Sequence, residues 1–303
     1  EDNECCEIVN DAVATRTIWY FKNEEIFIAS TSQRAIIKYL GTFEFDNRII
    51  PWMLSTGTLG PYYSWDKRIK KVQPDTSVIL NKKSWTLQIK SNPIIFQEKK
   101  SSTKKHKQKL KAILEYTFKT LNIDYTNWVL PLSGGYDSRG ILCLLKSINN
   151  KKDLKTITWG LKSSKFDKNN DAYVAQKLAT TLNVKNKYFF TDISKEPIEA
   201  IIKRFLLNGE GCIDHISAYM DGFKIWKLLY QYNIQGVIRG DEGFGWTKVF
   251  SQLGARQSIG LKLISDYPNL DFYSYYNLPT QKLPKELEQK KDESISKWRD
   301  RLY

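Results

Sequence analysis

The sequence predicts an α/β protein in which a doubly wound parallel sheet follows a smaller α+β domain. From Trp128 onward, short apolar runs of strand length alternate with stretches of helical periodicity, which is typical of parallel sheets. A glycine turn joins the first of these runs directly to its helix. Ahead of this region, β-rich segments separated by polar turns predict antiparallel strands. A length of 303 residues is enough for two domains.

Residues 1–98 are predicted to form the smaller domain. Arg16–Phe21 and Glu25–Ser30 are β-rich and flank a polar turn, which predicts a hairpin, and a short helix is expected over Ser32–Leu40. We further predict a helix over Asp46–Ser55 and a second strand pair, Thr76–Leu80 with Trp85–Ile89.

The basic stretch 99–107 has almost no side chain that a core would bury, so it is predicted to be a linker. Residues 108–303 then form the second domain, which starts with a helix over Gln108–Leu121. Because the sequence ends at Tyr303 inside a helical pattern, this domain is expected to be C-terminally incomplete.

The second domain alternates strands with helices. The predicted strands are Trp128–Leu132, Leu154–Gly160, Lys187–Phe190 and Gly236–Arg239, and the predicted helices start near Asp137, Asn169, Pro197 and Ser217. Ligands of such sheets bind beyond the carboxyl ends of the strands. Ser133–Asp137, Trp159-Gly160 and Gly240–Glu242 follow three of the strands, so we expect them at one edge of the sheet.

The loop Ser133-Gly-Gly-Tyr-Asp137-Ser138 predicts a phosphate site. Gly134 and Gly135 allow a phosphate to approach the backbone, and the N–H groups of the following helix turn attract anions. The hydroxyls of Ser133 and Ser138 can donate to phosphate oxygens, whereas Asp137 is assigned to a Mg²⁺ ion that the phosphates share. The alternative is that these side chains only cap the helix.

Other residues at the same edge are candidates for the site. Asp241 or Glu242 would complete a Mg²⁺ site with Asp137, although a glycine-rich acidic turn is the simpler interpretation of that segment. Arg139 and Arg239 are candidate phosphate clamps, or alternatively ion-paired surface residues. Trp159 would wall an adenine pocket or belong to the core, and Leu132 would pack on the base.

These motifs resemble known families. The loop Leu132–Ser138 is similar to the pyrophosphate loop of the N-type ATP pyrophosphatases, Leu-Ser-Gly-Gly-x-Asp-Ser. From about Arg16 to Trp246 the chain resembles the asparagine synthetase superfamily, which includes β-lactam synthetase and the lasso-peptide cyclases. Asp171–Ala179 resembles that family's next helix, and Gly240–Trp246 a shortened form of its acidic signature. Trp52–Leu80 is similar to part of its amidotransferase domain.

The resemblance implies a Rossmann-like ATP pyrophosphatase domain preceded by part of an N-terminal-nucleophile amidotransferase domain. It implies a ligase that uses ATP and Mg²⁺ to adenylate a carboxylate, releasing pyrophosphate, before ammonia or an amine displaces AMP. The carboxylate would belong to a small molecule, a peptide or a sugar. The residues it implies are Asp137, Arg139 and Glu242 for catalysis, Asp137, Asp241 and Glu242 for metal, and Leu132, Ser133, Gly134, Gly135, Asp137, Ser138, Trp159, Gly160, Arg239 and Gly240 for nucleotide.

The chain departs from the family in two ways that affect function. A glutaminase needs a cysteine with a free α-amine, and Cys5 and Cys6 lie inside the chain, so no glutaminase activity is expected. The family's late helical portion carries a lysine that stabilises the transition state, and it would lie beyond Tyr303. A partner subunit or a missing portion is therefore expected to complete the site.

Composition excludes several classes of protein. The net charge of +14 comes mostly from Lys residues spread along the chain, so we do not predict a nucleic-acid partner. The four cysteines lack the spacing of a disulfide framework or a zinc site. No apolar run is long enough to span a bilayer and no signal peptide is visible, which predicts a cytoplasmic protein.

Two alternative functions remain open from the sequence. One is an RNA-modifying ATP pyrophosphatase, which would need a basic patch continuous with the pocket. The other is a degenerate nucleotide-binding or partner-binding protein. The cluster Glu210–His215 is interpreted as a loop with an Asp cap, because it lacks the spacing of a metal site.

Overall fold

A computed structural model of the chain describes residues 4–92, 97, 99–121, 123–149, 154–191, 196–213, 224–240, 248–267 and 272–302. The chain divides into two compact units. The first unit contains Glu1–Gln97, Leu206–His215 and Gly245–Tyr303, and the second contains Glu98–Phe205 and Ile216–Phe244. The last segment of the chain, which we had assigned to the second domain, therefore clusters with the N-terminal residues.

Two three-stranded antiparallel sheets form the N-terminal part of the first unit. Their strands are β1 (Cys5–Val9), β2 (Trp19–Lys22), β3 (Phe27–Ser30), β4 (Lys70–Lys71), β5 (Thr76–Asn81) and β6 (Thr86–Ser91), in the orders β1-β5-β6 and β3-β2-β4. The β2–β3 hairpin and the β5–β6 pair confirm the predicted strand pairs. Strand β1 was not predicted, because five residues without clear alternation give no local signal.

Helices cover one face of the sheet that contains β2. These are α1 (Gln33–Leu40) and α2 (Ile49–Thr56). Successive side chains of β2 point to opposite faces, so Trp19 and Phe21 pack with apolar residues of the helices while Tyr20 packs against Val72 and Val78 on the other face. Ile8 and Leu87 of the other sheet join that second cluster, which gives a layer of helices, a sheet and a further sheet.

The second unit begins with helix α3 (Thr103–Thr120), which corrects part of the predicted linker. The Oγ atom of Ser102 accepts a hydrogen bond from the Lys105 amide at the start of this helix. Lysine has good helix propensity, so a run of solvated lysines is compatible with helix as well as with a linker.

A parallel sheet of four strands follows, as predicted. Its strands are β7 (Trp128–Pro131), β8 (Lys155–Gly160), β9 (Lys185–Phe190) and β10 (Gly236–Val237), in the order β10-β7-β8-β9. The connecting helices are α4 (Tyr136–Asn149), α5 (Asp171–Thr181), α6 (Ile198–Gly209) and α7 (Lys224–Gln231). The start of the predicted helix at Ser217 lies outside the described residues.

Helices lie on both faces of this sheet, which confirms the doubly wound arrangement. On one face, Leu130 and Leu132 form a buried cluster with Leu142 of α4 and Ala175 of α5. On the other face, Val129 packs with Ile225 and Leu229 of α7. The continuous apolar character of residues 128–132 follows from this burial on both sides.

The C-terminal segment of the first unit contains α8 (Gln252–Gln257), α9 (Phe272–Tyr276) and α10 (Ile295–Leu302). Two of its side chains contact the end of α2: the Gln281 amide donates to Ser55 Oγ at 2.9 Å, and the Tyr267 hydroxyl donates to the Ser55 carbonyl at 3.0 Å. Within the described ranges, no helix is both long and apolar enough to cross a bilayer.

Candidate active site

A cavity of about 290 Å³ opens at the carboxyl ends of β7, β8 and β10. It is lined by Pro131, Leu132, Ser133, Ser138, Thr158, Trp159, Asn170, Asp171, Ala172, Arg239 and Gly240. Six predicted site residues, namely Leu132, Ser133, Ser138, Trp159, Arg239 and Gly240, therefore come together at one edge of the parallel sheet. This is the position at which ligands bind in doubly wound folds.

Strand pairing fixes the point at which the loop leaves the sheet. The Leu132 amide donates to the Ile157 carbonyl at 2.7 Å, and the Thr158 hydroxyl donates to the Leu132 carbonyl at 2.8 Å. The Asn186 amide donates in turn to Thr158 Oγ1 at 3.1 Å. Thr158 was not predicted as a site residue, because a threonine inside a strand is ordinary β composition.

The two serines of the loop are joined to each other. Ser133 Oγ and Ser138 Oγ lie 3.1 Å apart, and the Ser138 oxygen also accepts from the Ser133 amide at 3.2 Å. The Gly135 amide donates to Ser133 Oγ at 3.1 Å. These bonds join the residues of the loop to one another and to Ser138 of α4, and both hydroxyls also line the cavity.

Neighbouring atoms leave no room for a side chain at two of the glycines. A Cβ on Gly134 would lie 2.5 Å from Oδ1 of Asp171, and a Cβ on Gly240 would lie 2.9 Å from the Cβ of Asp137. A Cβ on Gly135 would contact only Ser133 Oγ, at 3.1 Å. At the first glycine of the loop, a side chain would displace the Asp171 carboxylate and press on the Asp171 Cα, 3.2 Å away.

Asp137 is exposed in the first turn of α4, where a carboxylate is favourable to the helix dipole. It does not line the cavity but contacts Gly240, which directly precedes Asp241 and Glu242 in the sequence. Asp241 and Glu242 lie outside the described residues, so their pairing with Asp137 stays a prediction.

The two arginines occupy different places. Arg239 is exposed and lines the cavity, and its assignment as a phosphate clamp stays a prediction beside the ion-paired alternative. Arg139 does not line it: one of its terminal nitrogens donates to the Gly134 carbonyl at 2.9 Å, and its guanidinium lies 4.7 Å from the ring centroid of Tyr136. Arg139 therefore holds the backbone of the loop in the described structure.

Trp159 and Gly160 end strand β8. Trp159 lines the cavity and also packs edge-on against Trp226, with ring centroids 6.1 Å apart. Its role as a wall of an adenine pocket stays a prediction. Gly160 does not line the cavity. A Cβ there would lie 2.6 Å from the Tyr188 hydroxyl, which explains the glycine by packing.

The start of α5 contributes residues to which sequence reasoning gave no ligand-binding role. Asn170 caps this helix by accepting from the Ala172 amide at 3.0 Å, and Asp171 follows it. Both residues line the cavity. Their position could have predicted a place in the site, because they begin the helix that follows the second strand of the parallel sheet.

The donor set fits phosphate and a shared cation. Two helices begin at the cavity, two hydroxyls and Arg239 line it, and an Asp carboxylate stands at its rim. Across the part of the chain that is described, no three His, Cys, Asp or Glu side chains form a metal cluster. Mg²⁺ bound with nucleotide phosphates needs only one or two carboxylates, because phosphate oxygens and waters supply its other ligands.

Comparison with known proteins finds similarity among solved structures. No family model matches the chain, and no curated protein matches it. Among solved structures, the chain is similar to the NH3-dependent NAD synthetase of Campylobacter jejuni in complex with nitrate, at 21% sequence identity and a TM-score of 0.30. The match covers 50% of this chain and 64% of that chain, so this chain spans less than two thirds of that protein.

Proposed function

We propose that the protein is an ATP-dependent ligase of the ATP pyrophosphatase type, which adenylates a carboxylate and transfers the acyl group to ammonia or an amine. The observation that carries this proposal is the cavity at the sheet edge, where the Ser133–Ser138 loop, the start of α5 and Arg239 meet. The asparagine synthetase-like motifs support the choice of an amide-forming reaction.

Binding of the leaving phosphates is assigned to the loop. The N–H groups in the first turn of α4 have no acceptor within the helix, and the hydroxyls of Ser133 and Ser138 can turn from each other to the phosphate oxygens. The loop lacks the lysine with which Walker loops reach a terminal phosphate. We therefore assign the β and γ phosphates together to the loop, as a departing pyrophosphate.

The remaining residues position the reactants. Arg239, which lines the cavity, is assigned to the phosphate that is attacked, and Arg139 is assigned to hold the loop through the Gly134 carbonyl. Trp159 and Leu132 provide an apolar wall for the base. When bound, Mg²⁺ would neutralise charge on the leaving pyrophosphate, and Asp137 with Asp241 or Glu242 are the carboxylates proposed to hold it.

The position at which ATP is cut tests this proposal. With an acceptor carboxylate supplied, the expected products are AMP and pyrophosphate, measured by chromatography and a coupled pyrophosphate assay. Oxygen-18 from the carboxylate should appear in AMP, because the carboxylate attacks the α-phosphorus. Asp137→Asn is expected to lower turnover at least about tenfold because Asn binds Mg²⁺ weakly, while the fold is retained because Asp137 is exposed.

A matched control is Asp167→Asn, because the Asp167 carboxylate accepts from the Asn169 amide and does not line the cavity. That variant should keep wild-type turnover. ADP and orthophosphate as the primary products would contradict the assignment of the loop.

A further inference from the structure

The carboxylate of Asp171 lies against the first glycine of the loop. Its Oδ1 atom is 2.5 Å from the place that a Cβ of Gly134 would occupy, and its own Cα is 3.2 Å from that place. Asp171 also lines the cavity beside Ser133 and Ser138. Any phosphate bound by the loop would therefore be close to a fixed negative charge.

In the described parts of the chain, the Asp171 carboxylate makes no hydrogen bond or ion pair. Arg139, which follows the loop, donates instead to the Gly134 carbonyl and lies over the Tyr136 ring. Asp171 is exposed, so water solvates its carboxylate when no ligand is bound.

A carboxylate and a phosphate at contact distance repel each other. A cation placed between them reverses the sign of the interaction. A single carboxylate oxygen, phosphate oxygens and water form the ligand set that Mg²⁺ takes at nucleotide sites. The start of α5 favours a carboxylate at this position even before the cation binds.

We propose that Asp171 binds the divalent cation that accompanies the nucleotide phosphates, so that the loop accepts the metal–nucleotide complex and rejects the metal-free nucleotide. This inference rests on the proposed function of the same cavity. It adds a carboxylate on the α5 side of the loop to those expected near Asp137. It also explains why an acidic residue is placed where a phosphate must enter.

The test measures ATP binding by isothermal titration calorimetry, in excess Mg²⁺ and in EDTA, with no acceptor carboxylate present. In the wild type, Mg²⁺ should tighten ATP binding. In Asp171→Asn, metal-free ATP should bind about tenfold more tightly than to the wild type, because the repulsion is removed. The same substitution should reduce the enhancement by Mg²⁺ about tenfold. Asp171→Ser, also neutral and smaller, provides a second variant should the amide disturb the loop.

Asp167→Asn is the control, since it removes a carboxylate from the segment that precedes α5, at a residue that does not line the cavity. It should leave both titrations unchanged. If both Asp171 variants weaken ATP binding equally in Mg²⁺ and in EDTA, Asp171 only braces Gly134, and the inference is overturned. Unchanged binding would overturn it as well. A wild-type protein that binds ATP under neither condition would instead contradict the proposed function itself.

Discussion

Glycines in and near the loop are present for different physical reasons. A Cβ on Gly134 would lie 2.5 Å from the Asp171 carboxylate and 3.2 Å from the Asp171 Cα, whereas a Cβ on Gly140, inside α4, would meet no atom within 4 Å. A glycine in a helix interior costs stability relative to alanine because it is conformationally freer in the unfolded chain. The same substitution should therefore have opposite effects at the two positions.

We predict that Gly140→Ala raises the free energy of unfolding by roughly 0.5–1 kcal/mol. Gly134→Ala should lower it by about 1–3 kcal/mol, because Asp171 and the loop must move apart. Gly134→Ala should also weaken ATP binding, while Gly140→Ala should not. Urea unfolding and calorimetry measure both effects, and equal stability of the two variants would show that the close approach is not rigid.

Sequence reasoning at this scale identified the loop but not the purpose of each residue. It assigned both glycines to the approach of a ligand, since a turn motif cannot show which atom fills the missing Cβ position. Arg139 was assigned to phosphate for the same reason. Its contact with the Gly134 carbonyl depends on a rotamer that the sequence does not encode locally.

At the scale of elements, helix α1 is capped by a residue distant in the chain. The Glu210 carboxylate accepts from the Gln33 amide at 2.8 Å and from the Ser32 hydroxyl, and it pairs with Arg34 at 3.2 Å. Ser32 is at the N-cap position, but its side chain makes no capping bond to the helix. The α1 terminus therefore depends on Glu210, which is mostly buried there.

We predict that Glu210→Ala lowers the free energy of unfolding by about 2–3 kcal/mol, because a charge-assisted bond and a buried amide lose their partner. Ser32→Ala should cost only about 0.5–1 kcal/mol, since the carboxylate still accepts from the Gln33 amide. Chemical denaturation of the two variants provides the comparison. A larger loss for Ser32→Ala would contradict the assignment of Glu210 as the cap.

Local patterns predicted most helices and strands of the described chain, because those elements carry their own periodicity. They did not predict strand β1, whose pairing of Cys5 with Asn81 joins residues far apart in the sequence. They also interpreted Glu210 as part of a loop with an Asp cap. Its contact with α1 is invisible to any local pattern, as the two segments are 177 positions apart.

At the scale of the whole molecule, acid stability depends on carboxylates held by arginines. Burial alone would raise the pKa of Asp66, but hydrogen bonds from Arg68 and from the Glu44 amide outweigh it and lower that pKa. The Arg301 hydrogen bond lowers the pKa of Glu293. A carboxylate with a lowered pKa stabilises the fold above its unfolded value near 4, and this stability is lost as the pH falls.

We predict that the protein loses stability below about pH 4, where its net charge of +14 at neutral pH also becomes more positive. Asp66→Asn should cost about 2–4 kcal/mol at pH 7, because Asp66 is fully buried against Arg68. It should also flatten the acid limb of the stability curve. Glu44→Gln, at a half-exposed ion pair, should change stability by less than about 1 kcal/mol. Thermal melts between pH 3 and pH 8 would show an unchanged acid limb in Asp66→Asn if the assignment is wrong.

The division into units was the part of the architecture least accessible to sequence. A composition shift at residues 99–107 suggested the start of the second unit. No comparable shift in composition accompanies the return of the chain to the first unit at Leu206 or Gly245. Contacts such as that between Gln281 and Ser55 join the ends of the chain through single side chains. Polar residues of this kind are common in loops, so their partners cannot be read from composition.

The discontinuous first unit also sets an order of events on the ribosome. Its N-terminal strands and helices are made first, but Glu210 and Gln281 follow only after most of the second unit has been synthesised. At about 5–20 residues per second, that interval lasts roughly ten to thirty seconds. During this time the N-terminus of α1 lacks the Glu210 carboxylate and Ser55 at the end of α2 lacks the Gln281 amide. The second unit is itself unfinished until Phe244 has been added. A nascent chain stalled before residue 206 therefore lacks the later segments of the first unit. We expect such a chain to bind chaperones, because incomplete units expose apolar surface.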